Sequence, residues 1–122
     1  MQEIDVFFQA STGVVRIPQD PVGLHSGDEV LWHVHSTDTT LKWVEIEFAT
    51  SEFFDSRGGS KSKKRFAKLD HGHGRVMGAA PELPARGSIE DKYEVRGYTS
   101  GTTGPQGVPT YRLDPVIIIC DP

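Results

Sequence analysis

The sequence predicts an all-β protein: one Greek-key β-sandwich domain over residues 1–122, built from seven to eight short strands in two stacked antiparallel layers. Three observations carry this. Short segments alternate apolar and polar residues with a period of two. Gly 13 and Pro 8 supply frequent turn signals and interrupt every stretch that could sustain a helical period for a dozen residues. Finally, the chain closes on Val116-Ile117-Ile118-Ile119-Cys120, a β-branched apolar run that reads as a core strand.

Taken in order, Glu3 to Gln9 alternates, with Ile4, Val6 and Phe8 on one face and Asp5, Phe7 and Gln9 on the other. Ser11-Thr12-Gly13 turns the chain into Val14-Val15-Arg16-Ile17, and Pro18, Pro21 and Gly23 punctuate a loop. Ser26-Gly27-Asp28 opens a strand from Glu29 to Ser36. Its Val30, Trp32 and Val34 face one way, and Leu31, His33 and His35 the other. The next strand runs from Leu41 to Phe48, with Val44, Ile46 and Phe48 inward and Glu45 and Glu47 on an exposed polar face. Leu41 and Trp43 are out of phase with that set, which predicts a bulge near Trp43-Val44. Phe53-Phe54 could anchor the irregular stretch from Ala49 to Leu69, with room for a short helical turn between Glu52 and Asp55. Arg75 to Ala79 reads as a strand and Pro81 to Gly87 as a loop. The penultimate strand, Asp91 to Arg96, turns Tyr93 and Val95 inward.

Composition bounds the function classes. A length of 122 residues fits one domain. At 36% hydrophobic and 25% charged residues, the chain can bury one core without disulfides or a structural metal. No apolar run approaches the roughly 20 residues that span a bilayer, so no membrane partner is expected. The formal net charge of −4 names no partner. Met1-Gln2-Glu3-Ile4-Asp5 has neither the basic nor the apolar region of a secretory signal, and Cys120 is the single cysteine. The reading is a cytoplasmic protein, with a mature secreted or periplasmic domain as the alternative.

The Gly27-Asp28 turn into a strand with an inward Trp32, the Tyr93-x-Val95 strand and the loop-linked Leu113-Asp114-Pro115-Val116-Ile117-Ile118-Ile119 strand resemble the layout of the cupredoxin family. In that family the loop before the final strand carries the copper ligands: a Cys, a His and usually a Met. Here residues Gly97 to Thr110 contain none of them, and Cys120 lies at the far end of the last strand. The resemblance therefore implies a cupredoxin-like frame without type I copper. In other proteins such copper-free domains serve as binding or assembly modules.

Four segments are candidates for chemistry. His33-Val34-His35 places two imidazoles on one strand face, about 7 Å apart at Cα, a spacing that suits a shared metal. Gly27-x5-His33-x-His35 also resembles the start of the cupin metal motif, but Thr39 and Thr40 stand where that family expects a Glu. In Asp70-His71-Gly72-His73-Gly74 the glycines would let neighbouring ligands converge, or simply form a turn. Arg57, Lys61, Lys63, Lys64, Arg65 and Lys68 form a basic stretch without an acid, suited to an anionic surface or to solvent. It lacks the aromatic platform of single-strand nucleic-acid binders apart from Phe66, so nucleic acid is not the favoured partner. Ser100 to Gly107 has neither the Lys-Ser/Thr pair nor the following helix of a phosphate-binding loop; it reads as a long hairpin connection where binding residues can sit. Cys120 reads as an inert thiol, Ser11, Ser26 and Ser36 sit in turns, and no convincing catalytic set emerges.

The functional expectation is a non-catalytic module that recognises a protein or other anionic partner through its end loops, with no cofactor. Lys61, Lys63, Lys64, Arg65, Tyr98, Thr102, Thr103 and Gln106 are the expected contacts, and Tyr98 and Tyr111 are amphipathic anchors flanking the second loop. The competing expectation is a metal-binding protein or cupin-like metalloenzyme using His33, His35, His71 and His73.

Overall fold

Twelve strands follow one another along the described residues, which in this computed structural model are 2–49, 53–54, 61–81 and 88–120. They are β1 (Gln2–Gln9), β2 (Val14–Arg16), β3 (Val22–His25), β4 (Glu29–Ser36), β5 (Trp43–Phe48), β6 (Phe53–Phe54), β7 (Lys61–Ser62), β8 (Lys64–Lys68), β9 (His73–Ala79), β10 (Ser88–Tyr98), β11 (Tyr111–Leu113) and β12 (Val116–Cys120). They form two sheets, ordered β2-β1-β4-β9-β6-β7 and β3-β12-β10-β5-β8, with β11 also on β10. Among the described residues there is no helix. The all-β, two-sheet expectation holds.

The core lies between the sheets and follows the alternation. Ile4, Val6 and Phe8 of β1 and Val30, Trp32 and Val34 of β4 face Val44, Ile46 and Phe48 of β5, Tyr93 and Val95 of β10 and Ile117 and Ile119 of β12, all buried in one cluster. Burying each such side chain contributes about 1.5–3 kcal/mol. Trp32, Phe48 and Tyr93 pack ring against ring at centroid separations of 5.6–5.9 Å. Trp32 Nε1 donates to the Tyr93 hydroxyl at 3.4 Å, so two buried polar atoms satisfy each other across the sheets.

Several expectations need correction. β3 is a strand where Pro18, Pro21 and Gly23 suggested a loop. Val22 and Leu24 alternate into the core, and β12 offers a ladder that a local reading does not see. The layers are not purely antiparallel, because β1 pairs with β4 and β3 with β12 in parallel. Strand count exceeds seven to eight because β2, β6, β7 and β11 are each only two or three residues long. β5 keeps regular register with β10 and β8 through Trp43 and Val44, so there is no bulge. Phe53–Phe54 form β6 rather than a helical turn; Glu52, Asp55, Arg57 and the loop to Gly87 beyond Pro81 lie outside the described residues, as do the side chains of Phe53, Phe54 and Cys120.

β10 and its return form one long hairpin. β11 and β12 continue in the same register along β10 (Val95↔Leu113, then Lys92↔Val116), and Tyr93 N donates to the Pro115 carbonyl between them at 3.1 Å. At the hairpin's head, Thr110 N bonds Gly97 O at 2.8 Å and Gln106 N bonds Ser100 O at 3.0 Å. Gly101 has φ 127°, and a Cβ there would collide with the Gly104 carbonyl oxygen, so only glycine permits this closure.

Candidate functional site

Residues 100–107 fold back over the outer face of the second sheet. Trp43 Nε1 donates to the Gly101 carbonyl at 3.1 Å, and the Trp43 ring meets Phe66 of β8 edge-on at 5.7 Å. Gly104 leaves space for that Phe66 ring, which would lie 3.4 Å from a Cβ at Gly104. This covering is why Trp43 is buried although it points away from the core. It also brings together the two segments singled out in the sequence: basic β8 and the Gly/Thr loop meet at Phe66.

The expected contact residues divide accordingly. Lys63, Lys64, Thr102, Thr103 and Gln106 are exposed. Arg65 is buried by the alternation of β8, and burial pushes its guanidinium pKa down. Tyr98 is also buried, and its hydroxyl donates to Glu45 Oε1 at 3.1 Å; burial and this bond push the phenol up. Tyr111, the other expected anchor, is buried with its hydroxyl on Asp38 Oδ2 at 2.8 Å. The Lys61 side chain lies outside the described residues.

The same outer face holds an ion-pair network that sequence reasoning missed. Glu45, expected on an exposed polar face, is buried. Arg96 contacts Glu45 at 2.8 Å, Glu47 at 2.6 Å and Glu94 at 3.0 Å. Burial alone would lower the Arg96 pKa, but the bond to Glu47 and the charge of Glu45 outweigh it and push it up. The same bond holds Glu47 below the usual carboxylate range. Lys64 lies 4.0 Å from Glu45 at the margin of this network. Among the described residues Lys63, Lys68 and Arg75 form no ion pair, which leaves their charge available to solvent or a partner.

β8 and β9 leave the tight turn Asp70–His73 and then join different sheets. The cleft between them has a volume of about 320 Å³ and is lined by Lys64, Arg65, Phe66, Arg75, Val76 and Met77. Its lining holds three cations and no carboxylate. No local signal marks this cleft, since it depends on two strands diverging into separate sheets.

The histidines lie elsewhere. His33, His35 and His73 share the outer face of the first sheet, where His35 and His73 are directly opposite with centroids 5.4 Å apart. His33 Nε2 is 2.8 Å from Glu3 Oε1 and His35 Nε2 is 3.7 Å from Asp5 Oδ1. His35 also stacks on Phe7 at 5.1 Å, and the Arg16 guanidinium covers the Phe7 ring at 4.6 Å. His71 sits apart in the turn, exposed and 3.0 Å from Asp70. Thus three of the four imidazoles share a face, but among the described residues no three His, Cys, Asp or Glu side chains gather as a group able to hold a metal ion.

These features define an all-β, two-sheet protein with a loop-covered basic edge. No protein-family model matches this chain, and no curated protein is significantly similar to it. Among the described residues no helix is long and apolar enough to cross a membrane.

Proposed function

We propose that this chain is a non-catalytic, copper-free cupredoxin-like binding module that recognises an anionic protein partner through β8 and the 100–107 loop. The observation that carries the reading is the contact at Phe66, where a cationic strand and a hydrogen-bonding loop distant in sequence become one surface. Lys63, Lys64 and Lys68 steer an acidic surface toward this edge, and Thr102, Thr103 and Gln106 supply adaptable hydrogen bonds. The bonds from Trp43 and Gln106 hold the loop in place beforehand, which reduces the ordering cost of binding.

Poly-L-glutamate serves as a probe. It is expected to bind at low ionic strength and to weaken steeply with added salt, because exposed charges are screened within about 10 Å at 0.1 M. The triple reversal Lys63→Glu, Lys64→Glu, Lys68→Glu is expected to abolish binding with the melting temperature little changed. Undiminished binding by the triple variant would overturn the reading.

A further inference from the structure

The β8–β9 cleft presents unpaired backbone as well as charge. Along an antiparallel strand, successive residues turn their N–H and C=O groups to opposite edges. The bonds Phe48 N to Lys63 O and Leu69 N to Lys42 O turn the odd-numbered residues of β8 toward β5, so Phe66 faces the other way. In β9, Ser36 N to Gly72 O and Ala80 N to Asp28 O turn the even-numbered residues toward β4, so Arg75 and Met77 face the cleft. Neighbouring positions are already satisfied. Ser62 Oγ bonds both Lys64 N and Lys64 O, Asp70 exchanges two bonds with His73, and Ala79 pairs with Phe54. Between them the backbone of Phe66 and Lys68 in β8 and that of Arg75 and Met77 in β9 have no ladder partner among the described residues.

This inference rests on the anionic-partner reading and specifies its chemistry. We propose that the cleft receives an extended acidic segment of the partner protein, which adds as a short strand against Phe66 and against Arg75 and Met77. Its carboxylates meet Lys64 and Arg75. One apolar side chain settles between Phe66 and Met77, which are 51% and 49% exposed, unusually open for residues of this type. Charge complementarity selects this occupant, because the lining has three cations and no acid. Open N–H and C=O groups favour a peptide over a nucleic acid, whose phosphates would use the cations but leave the strand edges unpaired.

The test uses the full chain and a fluorescein-labelled octapeptide alternating glutamate and valine, followed by anisotropy. Three further probes are needed: two copies of the octapeptide N-methylated at alternate backbone nitrogens, one for each register, an alternating lysine–valine octapeptide and an oligothymidylate. Glutamate–valine is expected to bind, and N-methylation in at least one register to weaken it about tenfold or more by removing ladder donors. Lysine–valine is expected not to bind. Met77→Glu is expected to weaken binding while Met77→Leu retains it, and the Phe66, Arg75 and Met77 amides are expected to gain protection from hydrogen exchange in the complex. Equal affinity for the parent peptide and both N-methylated copies would overturn strand addition while leaving the anionic-partner reading intact. Failure of every acidic probe, poly-L-glutamate included, would overturn both. Tighter binding of oligothymidylate than of the peptide would overturn the assignment of a protein segment.

Discussion

The two outer faces of the sandwich hold side-chain contacts of the same length in different surroundings. On the first sheet, His33 and Glu3 approach to 2.8 Å with side chains 28% and 63% exposed. On the second, Arg96 and Glu45 also approach to 2.8 Å, but at 12% and 8% exposure. Distance therefore does not rank the two. Water screens the first pair and leaves it worth little, whereas the second has been removed from water and each charge depends on its partner. The lesson is that burial among cross-strand neighbours, and not contact distance, decides which charges are structural.

The largest expected effect comes from separating the buried charges. Arg96→Met leaves Glu45 buried without its principal cation and is expected to cost about 3 kcal/mol in denaturant unfolding. Arg96→Met with Glu45→Gln is expected to recover about half of that, since the neutral amide still accepts from Tyr98. A single variant as stable as the parent would mean that Glu45 is hydrated and the contrast between the faces is false.

Next is the loop itself. Gly101→Ala forces a side chain into the Gly104 carbonyl at a positive φ and is expected to cost about 1–2 kcal/mol. Trp43→Phe, which loses the bond to Gly101 O, is expected to cost about 1 kcal/mol. Both variants are expected to raise amide exchange at residues 100–107 and to weaken poly-L-glutamate binding. Unchanged exchange would show that the loop is not held by these contacts.

The same contrast marks the limits of what the sequence revealed. Alternation located β4 at Glu29–Ser36 and the inward set Ile4, Val6 and Phe8, because a strand buried on one face writes its environment into every second residue. It missed β3, whose Gly23 and the preceding Pro21 imitate a loop and whose partner β12 lies at the other end of the chain. It also read Glu45 and Glu47 as one exposed face. What buries Glu45 is its cross-strand company, with Phe66 of β8 on one side, Arg96 of β10 on the other and the Tyr98 hydroxyl bonded to it, and no local period encodes that. The basic stretch and the Gly/Thr loop were both legible as segments; their meeting at Phe66 was not.

Titration provides a further test. All three tyrosines have raised pKa values: burial pushes Tyr93 up to about 12, and burial raises Tyr98 and Tyr111 with added contributions from Glu45 and Asp38. A folded-state value above the unfolded one favours the neutral phenol in the fold. That stability is present below the ordinary tyrosine value of about 10 and is lost as pH rises through the raised values. Phenolate absorbance is therefore expected to appear late and to coincide with unfolding. On the acid side the sign reverses for Glu47, held low by Arg96. Its contribution is present above the ordinary carboxylate range and is lost as pH falls through the depressed value. Because Glu47 is partly exposed, this loss should be small and should vanish in Arg96→Met.

The smallest effect is expected on the open face, and it sharpens the comparison most directly. Glu3→Gln and His33→Gln each remove one member of an exposed pair whose 2.8 Å contact competes with water on both sides. Each is expected to change stability by less than about 0.5 kcal/mol. The Arg96→Met penalty, in contrast, should be several-fold larger and only weakly sensitive to salt, because the side chains of Arg96 and Glu45 are 12% and 8% exposed. Penalties of matching size in the two sets of variants would mean that burial does not separate these faces.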